Sequence, residues 1–481
     1  MIIRVKKQFS RLLINHSFAR GVTVLMGGAA GAQLLLLLAA PLLTRIYDPE
    51  DFGLVAVYAS LLALFGVVSS LRYELAIPLP DNEGEAANVA VLCLILVMFS
   101  TFLTGVLVVL LGSTTAAALG VPTLYGYLWL LPVGVLITGF YSVFNYWAVR
   151  AKLFTSIAGT KLRQALTTIV IQLAAFKLGG IGLLVGQVAG QGVGTMTLGL
   201  PALKSAGFKT VSMSGIKNAA GRYVRFPIFS TWAGFANAAG LQLPPLMFAA
   251  LFGPAAAGLY MLANRVLLIP MNLIGGAIGQ VFFANAPEAY RVGKLGSLVA
   301  KLHEKLAHIG LPPALLLMLL GPTLFAFVFG VQWLQAGEFA QWMAPWLYLV
   351  FVSSPLNTMF VVVEAQLQGL AFQAILLVSR IMAIGVGAWI GDLALTIKLF
   401  AGVSAVCWLG FLFWVAHVAD NPAKSMWQPT LHAAGFAVVI ASPVLATFFL
   451  QEVTMTLWLT ALSISALLLV SRYWVLLREA S

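Results

Sequence analysis

Residues 42–86 read LLTRIYDPEDFGLVAVYASLLALFGVVSSLRYELAIPLPDNEGEA. A short charged turn opens into an apolar run, interrupted only near its far end by Arg72 and Glu74. A run of about 20 apolar residues is what a helix needs to cross a bilayer. The turn itself returns later in the chain. Ile46-Tyr47-Asp48-Pro49-Glu50-Asp51-Phe52-Gly53-Leu54 has a counterpart in Leu251-Phe252-Gly253-Pro254-Ala255-Ala256-Ala257-Gly258-Leu259, with Pro, Gly and Leu matched at a constant offset of 205. Each copy joins an odd-numbered span to the next even one, and six spans separate them. The two halves therefore point the same way across the membrane. That is a parallel repeat about an axis along the membrane normal, an architecture of alternating-access transporters.

The rest of the chain has the same character. Of 481 residues, 61% are hydrophobic and 9% charged, against about 25% charged in soluble domains; the mean hydropathy is +0.98. This composition excludes a disordered chain and a soluble multidomain enzyme. The apolar runs are long and unbroken, unlike the alternating strands of a β-barrel. The expected fold is an all-α polytopic membrane protein of about fourteen transmembrane helices, at 21–43, 53–79, 86–111, 122–146, 157–176, 181–201, 223–250, 254–284, 306–330, 343–364, 370–391, 394–417, 429–450 and 454–477. The repeat divides these into a basic amphipathic N-terminal segment (1–20), an N-lobe of spans 1–6 (21–201), a basic linker (202–222), a C-lobe of spans 7–12 (223–418), and two additional spans with the C-terminus (419–481).

The net charge is +12, from 27 basic and 15 acidic residues. With the N-terminus inside, 21 of the 27 Lys and Arg fall on inner segments. Only Arg45, Lys177 and Lys398 fall on outer ones, and Arg72, Arg265 and Arg380 lie within spans. The positive-inside rule then places both termini in the cytoplasm. The excess charge is accounted for by topology and lipid headgroups, so no nucleic-acid partner is expected.

Little in the sequence points to catalysis. Cys93 and Cys407 both lie in apolar runs and form no CxxC pair. His303-Glu304-Lys305-Leu306-Ala307-His308 is HExxxH, whose spacing of five turns the imidazoles apart on a helix and spoils a shared zinc site; the segment reads as a solvated inner loop. There is no phosphate loop, and the outer loops are short. The chain is read as not an enzyme, with no metal and no cofactor. The informative residues are charges inside spans, because each costs about 2.5–3.5 kcal/mol at the bilayer centre and therefore faces protein or a wet cavity. Arg265 and Arg380 fall near the midplane, Arg72 and Glu74 toward the inner end of span 2, and Glu364 at the end of span 10. Three arginines against two glutamates make a positive interior, which suits an anion. A guanidinium's planar fork suits phosphate oxygens. Glu74 and Glu364 are candidates for orienting the arginines or for coupling to a proton or cation.

Residues 42–86, together with Gly258-Leu259-Tyr260, Arg265, Pro270 through Ala277, Val281-Phe282-Phe283 and Pro287, resemble the bacterial O-antigen and capsule polysaccharide flippases of the multidrug/oligosaccharidyl-lipid/polysaccharide exporter superfamily. The resemblance implies two six-helix lobes, a cationic central cavity and alternating access. It implies a substrate as well: an undecaprenyl-diphosphate-linked oligosaccharide, carried across the bacterial cytoplasmic (inner) membrane for lipopolysaccharide O-antigen, capsule or exopolysaccharide synthesis. The in-span arginines Arg72, Arg265 and Arg380 are then the substrate-binding candidates, the first two lying within the matching stretches, and membrane lipids and the polysaccharide polymerase machinery become partners. Two departures stand out. The acidic loop 80–85 is no diphosphate dock, and span 1 lacks the acidic residues of cation-coupled drug exporters. The alternatives are a cation-coupled multidrug exporter of the same superfamily, and a membrane-embedded glycan polymerase or transferase.

Overall fold

The computed structural model describes residues 16–420, 424–448 and 455–480. Most of the expected amphipathic lead-in, residues 1–15, lies outside them. The described residues are helical with short turns: α1 (His16–Leu43), α2 (Pro49–Val68), α3 (Glu83–Ala118), α4 (Leu130–Arg150), α5 (Phe154–Ala174), α6 (Gly180–Leu203), α7 (Met213–Arg222), α8 (Thr231–Phe252), α9 (Pro254–Arg291), α10 (Leu295–Phe329), α11 (Leu334–Ser353), α12 (Gln366–Ile390), α13 (Leu393–Val418), α14 (Lys424–Thr447) and α15 (Met455–Ala480). Twelve stretches among the described residues are long and apolar enough to cross a membrane. The chain is a multi-pass all-α membrane protein. Two of the fourteen expected spans are not among the twelve. Helix α5 carries Lys161 and Arg163 in its first half, and α9 contributes the shorter apolar stretch Pro254–Ile269.

The chain separates into two compact units, residues 1–261 and 262–481. In the first unit α1 packs on α5, α5 on α6, α4 on both α3 and α6, and α2 on α8. In the second, α10 packs on α11 and α14, α11 and α12 pack on α13, and α14 packs on α15. In a bilayer the hydrophobic effect gives helices little reason to associate, so close packing of small residues has to do it. The two repeated turns show this directly. A Cβ at Gly53 would lie 1.8 Å from the carbonyl oxygen of Pro254, and one at Gly258 would lie 1.9 Å from that of Pro49. The first turns of α2 and α9 thus cross backbone against backbone, and each glycine meets the other copy's proline.

The connecting turns also recur. Left-handed residues stand at Gly120 (φ 66°), Lys152 (56°) and Gly179 (61°), and again at Gly330 (110°), Glu364 (56°) and Gly391 (79°). The Lys152 and Glu364 turns close with the same hydrogen bonds. Leu153 N–H reaches back to Ala148 and Ala365 N–H to Phe360, each at a spacing of five.

Two expectations need correction. Span 2 does not run to residue 79: α2 stops at Val68, and left-handed Leu71 and Arg72 break the helical ladder before a short 3-10 turn, Tyr73–Ala76. The second half of the basic linker is α7, capped by the Ser212 hydroxyl, which accepts from Gly215 N–H at 3.1 Å. The HExxxH segment is not a solvated loop either. His303 and His308 lie on α10, 4% and 8% exposed, because α14 and α15 cover that end of the helix. His303 Nε2 bonds Thr430 Oγ1 at 2.8 Å, and Arg472 lies 3.5 Å from His308 Nδ1.

Candidate functional site

The break after α2 builds the most organised charged site of the first unit. Ser69 and Ser70 end the helix, and the left-handed Arg72 turns its side chain back toward Glu74. Arg72 Nη1 lies 3.5 Å from Glu74 Oε1, and the Ser70 hydroxyl donates to the other carboxylate oxygen. The glutamate side chain is 4% exposed and the arginine 29%. Arg72 Nε is buried without a partner, and the backbone of α8 at Gly234 passes close enough that a Cβ there would be 3.3 Å from it. Beside this pair is a cavity of about 320 Å³, walled by α2 and by Thr138, Ser142 and Gln187 from α4 and α6. A buried carboxylate with an arginine and a serine on it satisfies the demand that buried charges be paired and hydrogen-bonded. Arg72 is itself one of the residues that line the cavity.

The turn is held from behind. Tyr73 and Ile77 pack into an apolar cluster with Cys93, Val143 and Trp147, and Tyr73 donates its hydroxyl to the Ala220 carbonyl of α7 at 2.9 Å. Asn88 of α3 accepts from Ser212 N–H at 3.0 Å, and Arg222 pairs with Glu85 at 3.2 Å. The linker helix therefore supports the loop that carries Arg72. Sequence reading missed this role; the Ser212 cap before an amphipathic stretch was the available signal.

The second unit holds the two midspan arginines, in different settings. Arg380 on α12 donates from Nε to Ser404 Oγ at 2.9 Å. Its guanidinium carbon stands 4.9 Å from the ring centre of Trp346 and 5.5 Å from that of Phe400. Neighbours from α11 and α13 thus satisfy this charge by a hydrogen bond and by cation–π attraction. No sequence pattern links Arg380 to Trp346 or Ser404; the helix packing does. Arg265 is the twelfth residue of α9. It is partly exposed and makes no hydrogen bond or ion pair among the described residues. Glu364 pairs with neither arginine among those residues. It occupies the exposed left-handed turn before α12. Of the five candidates the structure brings together Arg72 and Glu74. No ion pair joins Arg265 or Arg380 to Glu364 among the described residues. No group of acidic, His and Cys residues fit to hold a metal occurs among the described residues.

Comparisons with known proteins agree with this architecture. The family described as "Polysaccharide biosynthesis protein" matches residues 42–338. No curated protein sequence matches the chain. Among solved structures, the lipid II flippase MurJ in an inward closed conformation is similar with a TM-score of 0.72 at 13% identity, covering 95% of this chain and 99% of that one. An inward-facing and an outward-facing multidrug resistance MATE family transporter of the MOP superfamily follow, with TM-scores of 0.55 and 0.52, identities of 15% and 18%, and coverage of 82% and 84% of this chain and 94% and 95% of theirs. At these identities the likeness is one of fold. The chain belongs to the polysaccharide biosynthesis protein family, and its fold is like those of the MurJ flippase and the MATE family transporters.

Proposed function

We propose that this protein is a flippase of the bacterial inner membrane that moves an undecaprenyl-diphosphate-linked oligosaccharide by alternating access along a cationic path, for surface polysaccharide synthesis. The observation that carries the reading is Arg265. A guanidinium in the middle of a membrane helix, with no protein partner among the described residues, carries a cost of about 2.5–3.5 kcal/mol that water and an anionic headgroup remove. Arg380 presents its charge from a fixed setting, steadied by Ser404 and two rings. Arg72 captures the diphosphate nearer the inner leaflet, with Glu74 holding its orientation. The three arginines are thus not equally unpaired, and Arg265 is the one whose charge waits for a ligand. A carboxylate already engaged by Arg72 and Ser70 argues against Glu74 as a drug-cation site, which favours the flippase over the multidrug exporter.

Fourteen spans, counting α5 and α9 with the twelve, and two six-helix lobes followed by α14 and α15 belong to the same reading. The reciprocal Gly53–Pro254 and Gly258–Pro49 crossing supports it, because a two-fold axis places each motif on its own copy. The matched left-handed turns support it too.

The test is glycan export in cells that depend on this protein. Arg265→Gln abolishes export at normal membrane expression. Arg265→Lys restores it only partly, since a point charge does not reproduce the two-pronged contact with diphosphate. Full export by both Arg265→Gln and Arg380→Gln would refute the anion path.

A further inference from the structure

A second cavity of the first unit is separate from the Arg72 site and none of the roles above uses it. It measures about 1080 Å³ and is walled by residues 78–83, the ends of α4 and α6, and the start of α5. From its lining we propose that it binds the headgroup of a zwitterionic phospholipid bearing a primary ammonium, taken from the leaflet at that end of the helices. The site needs only that the ends of α4, α5 and α6 lie at a membrane surface, and does not depend on what the protein transports.

Of the two arginines in the lining, Arg150 belongs to the wall. It donates to the carbonyl oxygens of Pro78 (3.4 Å), Pro80 and Asp81 (3.2 Å), and so fixes the segment that closes one side. Arg163 is exposed and has no hydrogen bond or ion pair among the described residues. The cavity also receives the first turn of α5, whose N-terminal amides have no side-chain cap. These are donors for an anion. Asp81 and Glu83 line the same space, both exposed and without an ion-pair partner among the described residues. A purely anionic ligand would meet two carboxylates, and a purely cationic one would meet two guanidiniums. The lining fits a neutral dipole.

The order of the charges along the helices gives the class. Asp81 stands just before α3 and Glu83 in its first turn, at the end of that helix. The Cα of Arg163, nine residues into α5, lies about 13 Å along the axis from its first residue at 1.5 Å per residue, and its long side chain leans back toward that N-terminal end. An aminophospholipid has the same order, with its ammonium outermost and its phosphate toward the acyl chains. Leu79 and Leu153, 56% and 45% exposed, supply apolar wall for the glycerol and upper chains. A primary ammonium is preferred to choline, because carboxylates reward N–H donors whereas quaternary ammonium is recognised by open aromatic faces. The one aromatic in the lining, Trp147, is 6% exposed and packs edge-on against Phe208.

Delipidated full-length protein in detergent would be titrated, under native mass spectrometry, with phosphatidylethanolamine, phosphatidylcholine, phosphatidylglycerol or inorganic phosphate. Phosphatidylethanolamine is expected to bind tightest. Arg163→Gln and the pair Asp81→Asn with Glu83→Gln are each expected to weaken it about tenfold, the scale of losing a hydrogen bond to a charged group. Arg163→Lys should recover part of that loss. All these residues are exposed, and unchanged melting temperatures check that the variants are folded. Equal binding of the three lipids, tighter binding of phosphatidylglycerol or of phosphate alone, or binding that both variants leave intact would overturn the proposal. Export is not read in this assay, so failure here leaves the flippase reading standing, and failure of Arg265→Gln to block export leaves this site standing.

Discussion

Substituting Gly53 with alanine tests how closely α2 and α9 cross. The added Cβ would sit 1.8 Å from the Pro254 carbonyl oxygen, and ordinary contact begins at 3.4 Å, so the two backbones must separate by about 1.6 Å. Both atoms in the clash belong to first-turn backbone, and no side-chain rotation relieves it. Overpacking a tight site costs about 1–3 kcal/mol, and here the upper end is expected because backbone opposes backbone. Gly258→Ala should cost a similar amount, its Cβ lying 1.9 Å from Pro49 O. The double variant should cost less than the two singles together, because one separation makes room for both methyls, and contacting sites couple in this way. Gly240→Ala on α8 is the control. Nothing lies within 4 Å of a Cβ there, and alanine gains up to about 1 kcal/mol of helix propensity. The assay is thermal unfolding of the purified protein in detergent, followed by loss of the monodisperse peak. A Gly53→Ala protein as stable as its parent, or additive singles, would refute the crossing and remove the main support for the repeat.

Other expectations follow from particular contacts. Arg72→Ala leaves Glu74 buried with Ser70 alone and should destabilise by less than the about 3–5 kcal/mol of a fully buried pair, since Arg72 is 29% exposed; adding Glu74→Gln should recover much of the loss in the same thermal assay. Ser404→Ala should cost about 1 kcal/mol, the net worth of one hydrogen bond, while Arg380→Met tests whether the charge is needed for export beyond its packing against Trp346 and Phe400. Tyr73→Phe removes the bond to Ala220 and should raise amide exchange in 213–222 without unfolding the bundle. A reporter fused at Lys209 should behave as cytoplasmic and one near Glu338 as periplasmic; the reverse would overturn the orientation read from Lys and Arg.

Membrane residence, all-helical class and the approximate span positions were legible in sequence because lipid imposes them locally. A backbone in hydrocarbon has to satisfy its own hydrogen bonds, so long apolar runs are helices whatever their neighbours. The repeated Pro-x-x-x-Gly-Leu turn was legible as well, though not that its two copies touch. Where the helices stop was less visible. Nothing in Ser69-Ser70-Leu71-Arg72 forbids a longer helix, and two left-handed residues, held by the apolar cluster around Tyr73 and Ile77, end it there. The charges divide along the same line. Sequence alone identifies Arg72, Arg265 and Arg380 as costly and therefore purposeful. Whether each is paired depends on residues far away in the chain or missing: Glu74 through a turn, Ser404 and Trp346 through helix packing, and for Arg265 no partner among the described residues. Hydropathy is a property of a segment, but the neutralisation of a charge depends on what tertiary packing brings within about 4 Å of it.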